Sequence, residues 1–169
     1  PSTAAISGDI IVFNTESCTI FACNRKTGKH LWSYWLGDPL MSNPTIANGI
    51  VYTSYPISSG GGGNYNIQNN NSPNQIQQNI FSPNKNSPKP TPTSKPNKYA
   101  VSTTHAVIAF DLKTGKILWQ KRIDGDIMSA PIAKDKFLHF TTFPGTLYKL
   151  NQKSGKILSA IAMRATSAP

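Results

Sequence analysis

The chain has 169 residues, of which 38% are hydrophobic, and this is enough apolar material for a folded domain with its own core. Lysine and arginine number 17 against 7 acidic residues, and the formal charge of +10 attracts anionic partners at long range without specifying a fold. No run of 18 or more apolar residues is present, so we expect no membrane-spanning helix.

The N-terminal residues lack the basic and apolar regions of a signal peptide, and the chain does not begin with Met. We therefore expect either that a leader has been removed or that the sequence is a piece of a longer chain. A little further along, Cys18 and Cys23 lie in an apolar run that predicts a strand. Five strand positions correspond to roughly 16 Å, which is beyond disulfide reach, so we interpret both cysteines as small packing residues.

A short motif occurs three times in the chain, over residues 22–32, 109–119 and 149–159. The copies share Asp or Asn, then Thr or Ser, then Gly and Lys at fixed offsets. An Asx side chain can accept N–H groups from the residues just ahead of it, and glycine can adopt the left-handed conformation that ends a tight hairpin. We expect this hairpin role for Thr27, Gly28, Asp111, Thr114, Gly115 and Gly155.

A second landmark is in phase with this motif. Ser-x-Pro occurs at residues 42–44, 129–131 and 167–169, and Pro1 stands in the equivalent place at the start. The four prolines of this landmark are therefore separated by 43, 87 and 38 positions. Propeller repeats run ~40 to 50 residues, so the long interval corresponds to one repeat plus an insertion of about 45 residues. The chain accordingly divides into three units.

The sequence of each unit predicts four short strands. In the third unit they fall at about 127–133, 136–142, 146–151 and 156–162, with turn residues between them. Strands of this length with turn signals at regular spacing are typical of an antiparallel meander. Apolar and polar residues alternate only partly along the strands, so both faces of each sheet should be covered, as in stacked blades.

Residues 56–98 have a different composition, rich in Gly, Asn, Pro, Ser and Lys, with four lysines and no acidic residue. Such a stretch cannot bury enough apolar surface to offset its loss of conformational entropy, so we predict a disordered insertion. It is either a tolerated loop expansion or a basic arm or tether. The remaining residues, 1–55 and 99–169, are the predicted blades.

The string Ala109-x-Asp111-x-x-Thr114-Gly115-Lys116-x-x-Trp119 resembles the tryptophan-docking motif of quinoprotein (PQQ-type, BamB-like) β-propellers. The resemblance implies an all-β fold, a β-propeller segment of about three four-stranded antiparallel blades. It also implies that Trp32 and Trp119 lie on outermost strands and pack against the neighbouring blade. The third copy has Lys149 and Ser159 in place of the motif's Ala and Trp. Three blades do not close a ring, so the partners implied are the remaining blades or another chain.

The residues that a working quinoprotein dehydrogenase would need, by the same resemblance, are a catalytic Asp, a calcium site and often an adjacent Cys pair. None of these is recognisable, because the acidic residues are scattered over turns, loops and strand ends. The histidines His30, His105 and His139 are likewise isolated from one another. We therefore predict no catalytic, metal or cofactor-binding residue and no cofactor.

Three functions remain open from the sequence. The first is a non-catalytic propeller scaffold that binds a protein or ligand at the cell envelope or surface, in a periplasmic, outer-membrane-associated or extracellular location. The second is a fragment of a PQQ-dependent dehydrogenase whose active groups lie elsewhere. The third is a surface for polyanions. Nucleic acid is not favoured, because the aromatic residues of the insertion do not alternate with its basic residues.

Overall fold

The computed structural model describes residues 3–36, 42–57 and 103–163. These residues form twelve β-strands, arranged as three four-stranded antiparallel sheets in which the strands follow in chain order. The predicted all-β fold of three four-stranded blades is therefore confirmed. Within the described ranges, no helix has the length and apolar character needed to cross a membrane.

Blade 1 contains four strands, β1 Ala5–Ser7, β2 Ile10–Asn14, β3 Thr19–Asn24 and β4 His30–Trp35. The prediction that both cysteines lie in one strand is wrong. Cys23 is in β3, but Cys18 precedes that strand in the turn after β2, where its φ of 65° ends the extended conformation. Both thiols are free and partly buried.

Blade 2 contains β5 Thr45–Ala47, β6 Ile50–Pro56, β7 His105–Asp111 and β8 Ile117–Ile123. Five consecutive residues are buried in each of the two central strands, β6 and β7. This pattern arises because the middle sheet packs against a neighbouring sheet on each of its faces, so both side-chain directions meet apolar surroundings.

Blade 3 contains β9 Ile132–Lys134, β10 Phe137–Thr141, β11 Thr146–Asn151 and β12 Ile157–Ala162. The last three agree with the predicted strands to within a residue or so. The first strand is shorter than predicted, because Ile127 forms only an isolated bridge with Thr142 and the chain does not pair continuously until Ile132.

The core lies between the blades. Between blades 2 and 3 it is built from buried residues of both sheets, namely Tyr52, Val107, Ala109, Trp119, Ile123, Ile127, Leu138, Phe140, Tyr148 and Leu150. A comparable set lies between blades 1 and 2, including Val12, Ala22, Trp32, Tyr34, Val51 and Phe110. Burial of these side chains supplies the main favourable free energy of the fold.

The proline landmark stands at the start of the first strand in blades 2 and 3. Pro44 and Pro131 are buried just before β5 and β9. The Thr45 hydroxyl donates a hydrogen bond to the Pro131 carbonyl at 2.7 Å, so this landmark links the first strands of neighbouring blades. Pro1 and Pro169 lie outside the described residues.

The insertion leaves the fold between β6 and β7. Pro56 pairs with His105, and the Ile57 N–H donates to the Thr104 carbonyl at 2.8 Å, so the hairpin ladder extends past the predicted boundary at residue 55. The predicted disorder concerns residues that, apart from 56 and 57, lie outside the described ranges.

We expect the insertion to be dispensable for folding. Replacing residues 58–102 with a Gly-Ser linker of about four residues, a common hairpin loop length, should leave the thermal unfolding midpoint nearly unchanged. The reason is that the strand ends to be joined are already adjacent. Differential scanning calorimetry of the two proteins provides the measurement. A midpoint lowered by many degrees would show that the insertion packs on the blades.

Candidate functional site

The three repeated turns have the same geometry. The side-chain oxygen of Asp111 accepts hydrogen bonds from the Lys113 N–H at 3.1 Å, the Thr114 N–H at 2.8 Å and the Thr114 hydroxyl at 2.7 Å. In blade 1, Asn24 accepts the equivalent bonds from the N–H groups of Lys26 and Thr27. In blade 3, Asn151 accepts them from the two residues at the same offsets. The glycines that follow, Gly28, Gly115 and Gly155, have φ of 70°, 69° and 63°. The three turns are therefore closed by the same Asx hydrogen bonds and the same glycine conformation.

Trp32 connects blade 1 to blade 2. Its indole N–H donates a hydrogen bond to the Leu112 carbonyl at 2.8 Å, and its ring stacks on Phe110 with centroids 5.5 Å apart. The ring also lies on Gly115, where a Cβ would come within 2.6 Å of the indole. The glycine is therefore required twice, for its positive φ and for the close approach of the tryptophan.

Trp119 makes the same hydrogen bond and the same glycine contact one blade further on, but its aromatic neighbour belongs to its own blade. Its indole N–H donates to the Gln152 carbonyl at 2.8 Å, and a Cβ on Gly155 would lie 2.5 Å from the ring. The ring also contacts Tyr52, with centroids 5.9 Å apart. Burial raises the pKa of the Tyr52 hydroxyl to about 12, as expected for a phenol kept from water.

Leu112 and Gln152 each hold two elements together, and the sequence analysis did not identify either of them. The N–H of Leu112 donates to the Gly49 carbonyl within blade 2, while its carbonyl accepts the Trp32 indole of blade 1. Gln152 does the same in blade 3 through the Lys136 carbonyl and Trp119. Both use backbone groups, so only their position directly after the Asx residue could have indicated the role.

The family described as outer membrane protein assembly factor BamB matches residues 82–158, just under half of the chain. This stretch includes Trp119 and the turns of blades 2 and 3. The chain has the fold of a β-propeller segment, and over residues 82–158 it resembles the PQQ-type family.

Solved structures with the same fold include the BamB protein of Moraxella catarrhalis, which is 16% identical with a TM-score of 0.59 over 95% of this chain and 36% of that chain. A quinohemoprotein alcohol dehydrogenase of Pseudomonas putida is 11% identical with a TM-score of 0.58 over 94% of this chain and 26% of its own. The computationally designed Ika4 protein is 14% identical with a TM-score of 0.60, over 97% of this chain and 76% of its own. The chain thus spans about a third of the length of the BamB structure.

These identities show a shared fold. A comparison with curated protein sequences found no match. Because BamB and a dehydrogenase share this fold, the fold does not by itself distinguish a scaffold from an enzyme.

Within each blade, three residues of the second, third and fourth strands lie side by side on one face of the sheet. In blades 1 and 2 this face points to the next blade, and we call the three residues the facing row. The rows of the first two blades are Val12, Ala22 and Trp32, and Tyr52, Ala109 and Trp119. The same registers in blade 3 align His139, Lys149 and Ser159. The facing row of blade 3 is therefore polar, and it points away from blade 2.

The opposite face of blade 1 is apolar. Ile11, Phe13, Phe21 and Cys23 stand in the registers that hold buried residues such as Val51 and Phe110 in blade 2, yet all four are only partly buried. We call these four residues the blade 1 face. Gly28 is at the edge of this face, and a Cβ there would meet nothing within 4 Å, in contrast to Gly115 and Gly155.

The acidic groups of the loop after β8 are engaged in hydrogen bonds. Asp124 is buried and accepts bonds from the hydroxyls of Thr142, at 2.8 Å, and Thr146. Asp126 accepts bonds from the Ser54 hydroxyl at 2.6 Å and from the Ile127 N–H at 2.8 Å. Nothing in the sequence indicated these partners. Their carboxylates stabilise the loop and its contact with blade 2.

The histidines lie in three different blades, with His30 in β4, His105 in β7 and His139 in β10. In the described parts of the chain, no group of three or more His, Cys, Asp or Glu side chains is placed to hold a metal ion.

The hydrogen bonds in the turn of blade 2 lead us to expect a specific pH dependence of the folding stability. The hydrogen bond from the Thr114 hydroxyl, followed by its backbone N–H, lowers the pKa of Asp111. A carboxylate with a lowered pKa stabilises the fold above its unfolded pKa, and this stabilisation is lost as the pH falls through the folded pKa. Asp111→Asn retains the acceptor oxygen, as Asn24 and Asn151 show, so its stability should decline less steeply from pH 5 towards pH 2 than that of the parent chain.

Urea unfolding measured at several pH values tests this expectation. Asp111→Ala, which removes the acceptor, should destabilise the protein at every pH. Parallel acid limbs for the parent and Asp111→Asn would show that the carboxylate is not linked to folding in this way.

Proposed function

We propose that this segment contributes blades to a non-catalytic β-propeller scaffold that binds a protein partner at the cell envelope, in the periplasm or at the outer membrane. The family that matches residues 82–158 is described as an outer membrane protein assembly factor, which supports both the type of activity and the compartment. The observation that supports this proposal most directly is that acidic side chains accept hydrogen bonds within the turns and between the blades.

That observation concerns Asp111, Asp124 and Asp126, whose carboxylates accept hydrogen bonds from neighbouring backbone and hydroxyl groups. A calcium-assisted quinone site needs several carboxylate or amide oxygens that converge on one point. The carboxylates here point into turns and into the contact between blades. They rigidify the sheets, and rigid sheets with exposed loops and faces are suited to recognition.

Within the same proposal, Trp32 and Trp119 act as docking residues. Each covers a large apolar area on the next blade and satisfies its one N–H with a carbonyl there. Two contacts, the indole hydrogen bond and the packing of the ring on a turn glycine, are repeated at two blade junctions and support this role. The docking assignment includes the turn glycines on which the rings lie.

Binding of pyrroloquinoline quinone, with and without calcium, tests the scaffold proposal on the intact protein that contains these blades. We expect no saturable heat of binding in calorimetry and no dye-linked alcohol oxidation. Tight calcium-dependent binding of the quinone, together with alcohol oxidation, would instead support the dehydrogenase alternative and overturn the scaffold.

A further inference from the structure

The short hairpin turns of the three blades lie together at one end of the sheets. In each blade the turn after the third strand is hydrogen-bonded to the turn after the first, as the Leu112 N–H is to the Gly49 carbonyl. Turns of neighbouring blades are also joined, because Trp32 and Trp119 donate to the carbonyls of Leu112 and Gln152. We call these six turns the turn end, which comprises residues 8–9, 25–29, 48–49, 112–116, 135–136 and 152–156.

The turn end has a large excess of positive charge. Its cationic side chains are all exposed, and they are Arg25, Lys26, Lys29, Lys113, Lys116, Lys136, Lys153 and Lys156. The acidic residues of the same turns are Asp9 and Asp135. Among the described residues, the ion pairs join only Asp9 to Arg25 and Lys26, so the lysines of the blade 2 and blade 3 turns have no carboxylate partner there.

The loops at the opposite end of the sheets have the reverse charge. Within the described ranges, these loops contain Glu16, Asp124 and Asp126 and no lysine or arginine. The positive charge of the connections between strands is therefore concentrated at the turn end. Such a concentration of one sign attracts an anionic surface and favours one orientation of the protein towards it.

Docking of a neighbouring blade does not cover the lysines of the turn end. Blade 2 has a blade on each side, and Trp32 packs on its turn glycine, Gly115, yet Lys113 and Lys116 are both exposed. The equivalent lysines of blade 3 are also exposed, although Trp119 packs on the glycine between them. The turn end therefore remains accessible in a closed ring, in contrast to the faces of the sheets.

We propose that the turn end is an electrostatic contact surface for a membrane that contains anionic phospholipid, and that it orients the propeller with this end towards the bilayer. Lysine is a flexible point charge, which suits several independent contacts with phosphate headgroups. The charges are distributed over the turns of all three blades, so they match an extended anionic surface. The six turns contain no aromatic residue on which nucleic acid bases could stack.

This surface is additional to the scaffold function proposed above. It leaves the sheet faces to the neighbouring blades and the opposite end of the sheets to other partners. The outer-membrane description of the family that matches residues 82–158 is consistent with a membrane close to the protein.

Vesicles of equimolar phosphatidylcholine and phosphatidylglycerol are the probe, compared with vesicles of phosphatidylcholine alone. Binding of the intact protein that contains these blades is measured by co-sedimentation at a fixed low salt concentration. We expect Lys113→Gln combined with Lys116→Gln to weaken binding to the anionic vesicles about 30-fold, the equivalent of about 2 kcal/mol for two lysines. Lys153→Gln combined with Lys156→Gln should have the same effect. Binding to phosphatidylcholine alone should not change.

Lys121→Gln combined with Arg122→Gln is the matched control. Both residues are exposed in β8 of blade 2, towards the opposite end, and their loss lowers the net charge equally. This control should bind the anionic vesicles as the parent protein does, and so should Lys113→Arg combined with Lys116→Arg, which retains the charge. Glutamine keeps the backbone groups that close the turn, and thermal unfolding of each variant verifies the fold.

Three results would overturn the proposal. Equal weakening by the turn variants and the β8 control would show a general charge effect, and equal affinity for the two kinds of vesicle would show that no anionic headgroup is recognised. Tighter binding of a single-stranded oligonucleotide or of polyglutamate, with the same dependence on the turn lysines, would identify a different anionic partner. None of these results bears on the quinone assay, so failure here is distinguishable from failure of the scaffold function.

Discussion

Trp119→Ala is expected to lower the free energy of unfolding by about 3 to 5 kcal/mol, the usual loss when a large buried side chain is truncated. The substitution removes the stacking surface on Gly155, the contact with Tyr52 and the indole hydrogen bond to the Gln152 carbonyl. That carbonyl also accepts a longer bond from the Tyr52 hydroxyl, at 3.4 Å, so it is not left wholly unsatisfied. Urea unfolding monitored by circular dichroism gives the value.

Leu118→Ala is the matched control for this substitution. Leu118 is the adjacent residue, lies at the register shift between β7 and β8, and is 43% exposed. Its truncation should change the stability by less than ~1 kcal/mol, as is usual for surface positions. Trp119→Phe should fall between the two, because it retains an apolar ring and loses the N–H. If Trp119→Ala were no more destabilising than Leu118→Ala, Trp119 would not be a docking residue.

The isolated chain is expected to self-associate at tens of micromolar. The blade 1 face presents Ile11, Phe13, Phe21 and Cys23, and the rings of Phe13 and Phe21 stack at 5.7 Å with solvent-accessible area remaining. The equivalent residues of blade 2 are completely buried against blade 1. Charge repulsion between copies is screened beyond about 8 Å at physiological salt, so it opposes close apolar contact only weakly. Sedimentation velocity over a concentration series measures the effect.

Two variants identify the surface responsible for self-association. Phe21→Lys places a charge in the centre of the blade 1 face and should shift the chain towards the monomer. Ser159→Trp supplies the indole that blade 3 lacks, and its facing row could then contact the open glycine, Gly28, of a second copy, so association should strengthen. A compact monomer that unfolds cooperatively at tens of micromolar would show that other residues of this chain cover the blade 1 face.

The repeated turns could be predicted from the sequence because all of their interactions are local. The Asx oxygen bonds to N–H groups two and three residues ahead, and the glycine that follows needs only its own positive φ. Three copies of such a turn in phase with the Ser-x-Pro landmark, together with strand-length apolar runs, were therefore sufficient to predict the blades. The two motif tryptophans could be selected in the same way, from their fixed offset to the glycine.

The partners of those tryptophans depend on the tertiary structure. Trp32 donates to a carbonyl 80 residues away, and any residue type can supply a carbonyl, so Leu112 carried no recognisable signal. The buried carboxylate of Asp124 is similar, because its hydroxyl partners belong to a hairpin about 20 residues further along the chain.

The strands and turns could be predicted from residue spacing within about ten positions, and the number of blades followed from landmarks repeated about every 40 residues. Which side chains share a face depends on the pairing of the strands in the tertiary structure. The register shift at the same place in each blade, for example between Ala109 and Phe110, leaves one residue of the fourth strand unpaired and aligns the row that includes Trp119. In blade 3 that shift aligns His139, Lys149 and Ser159, because pairing across three strands places residues ten positions apart side by side.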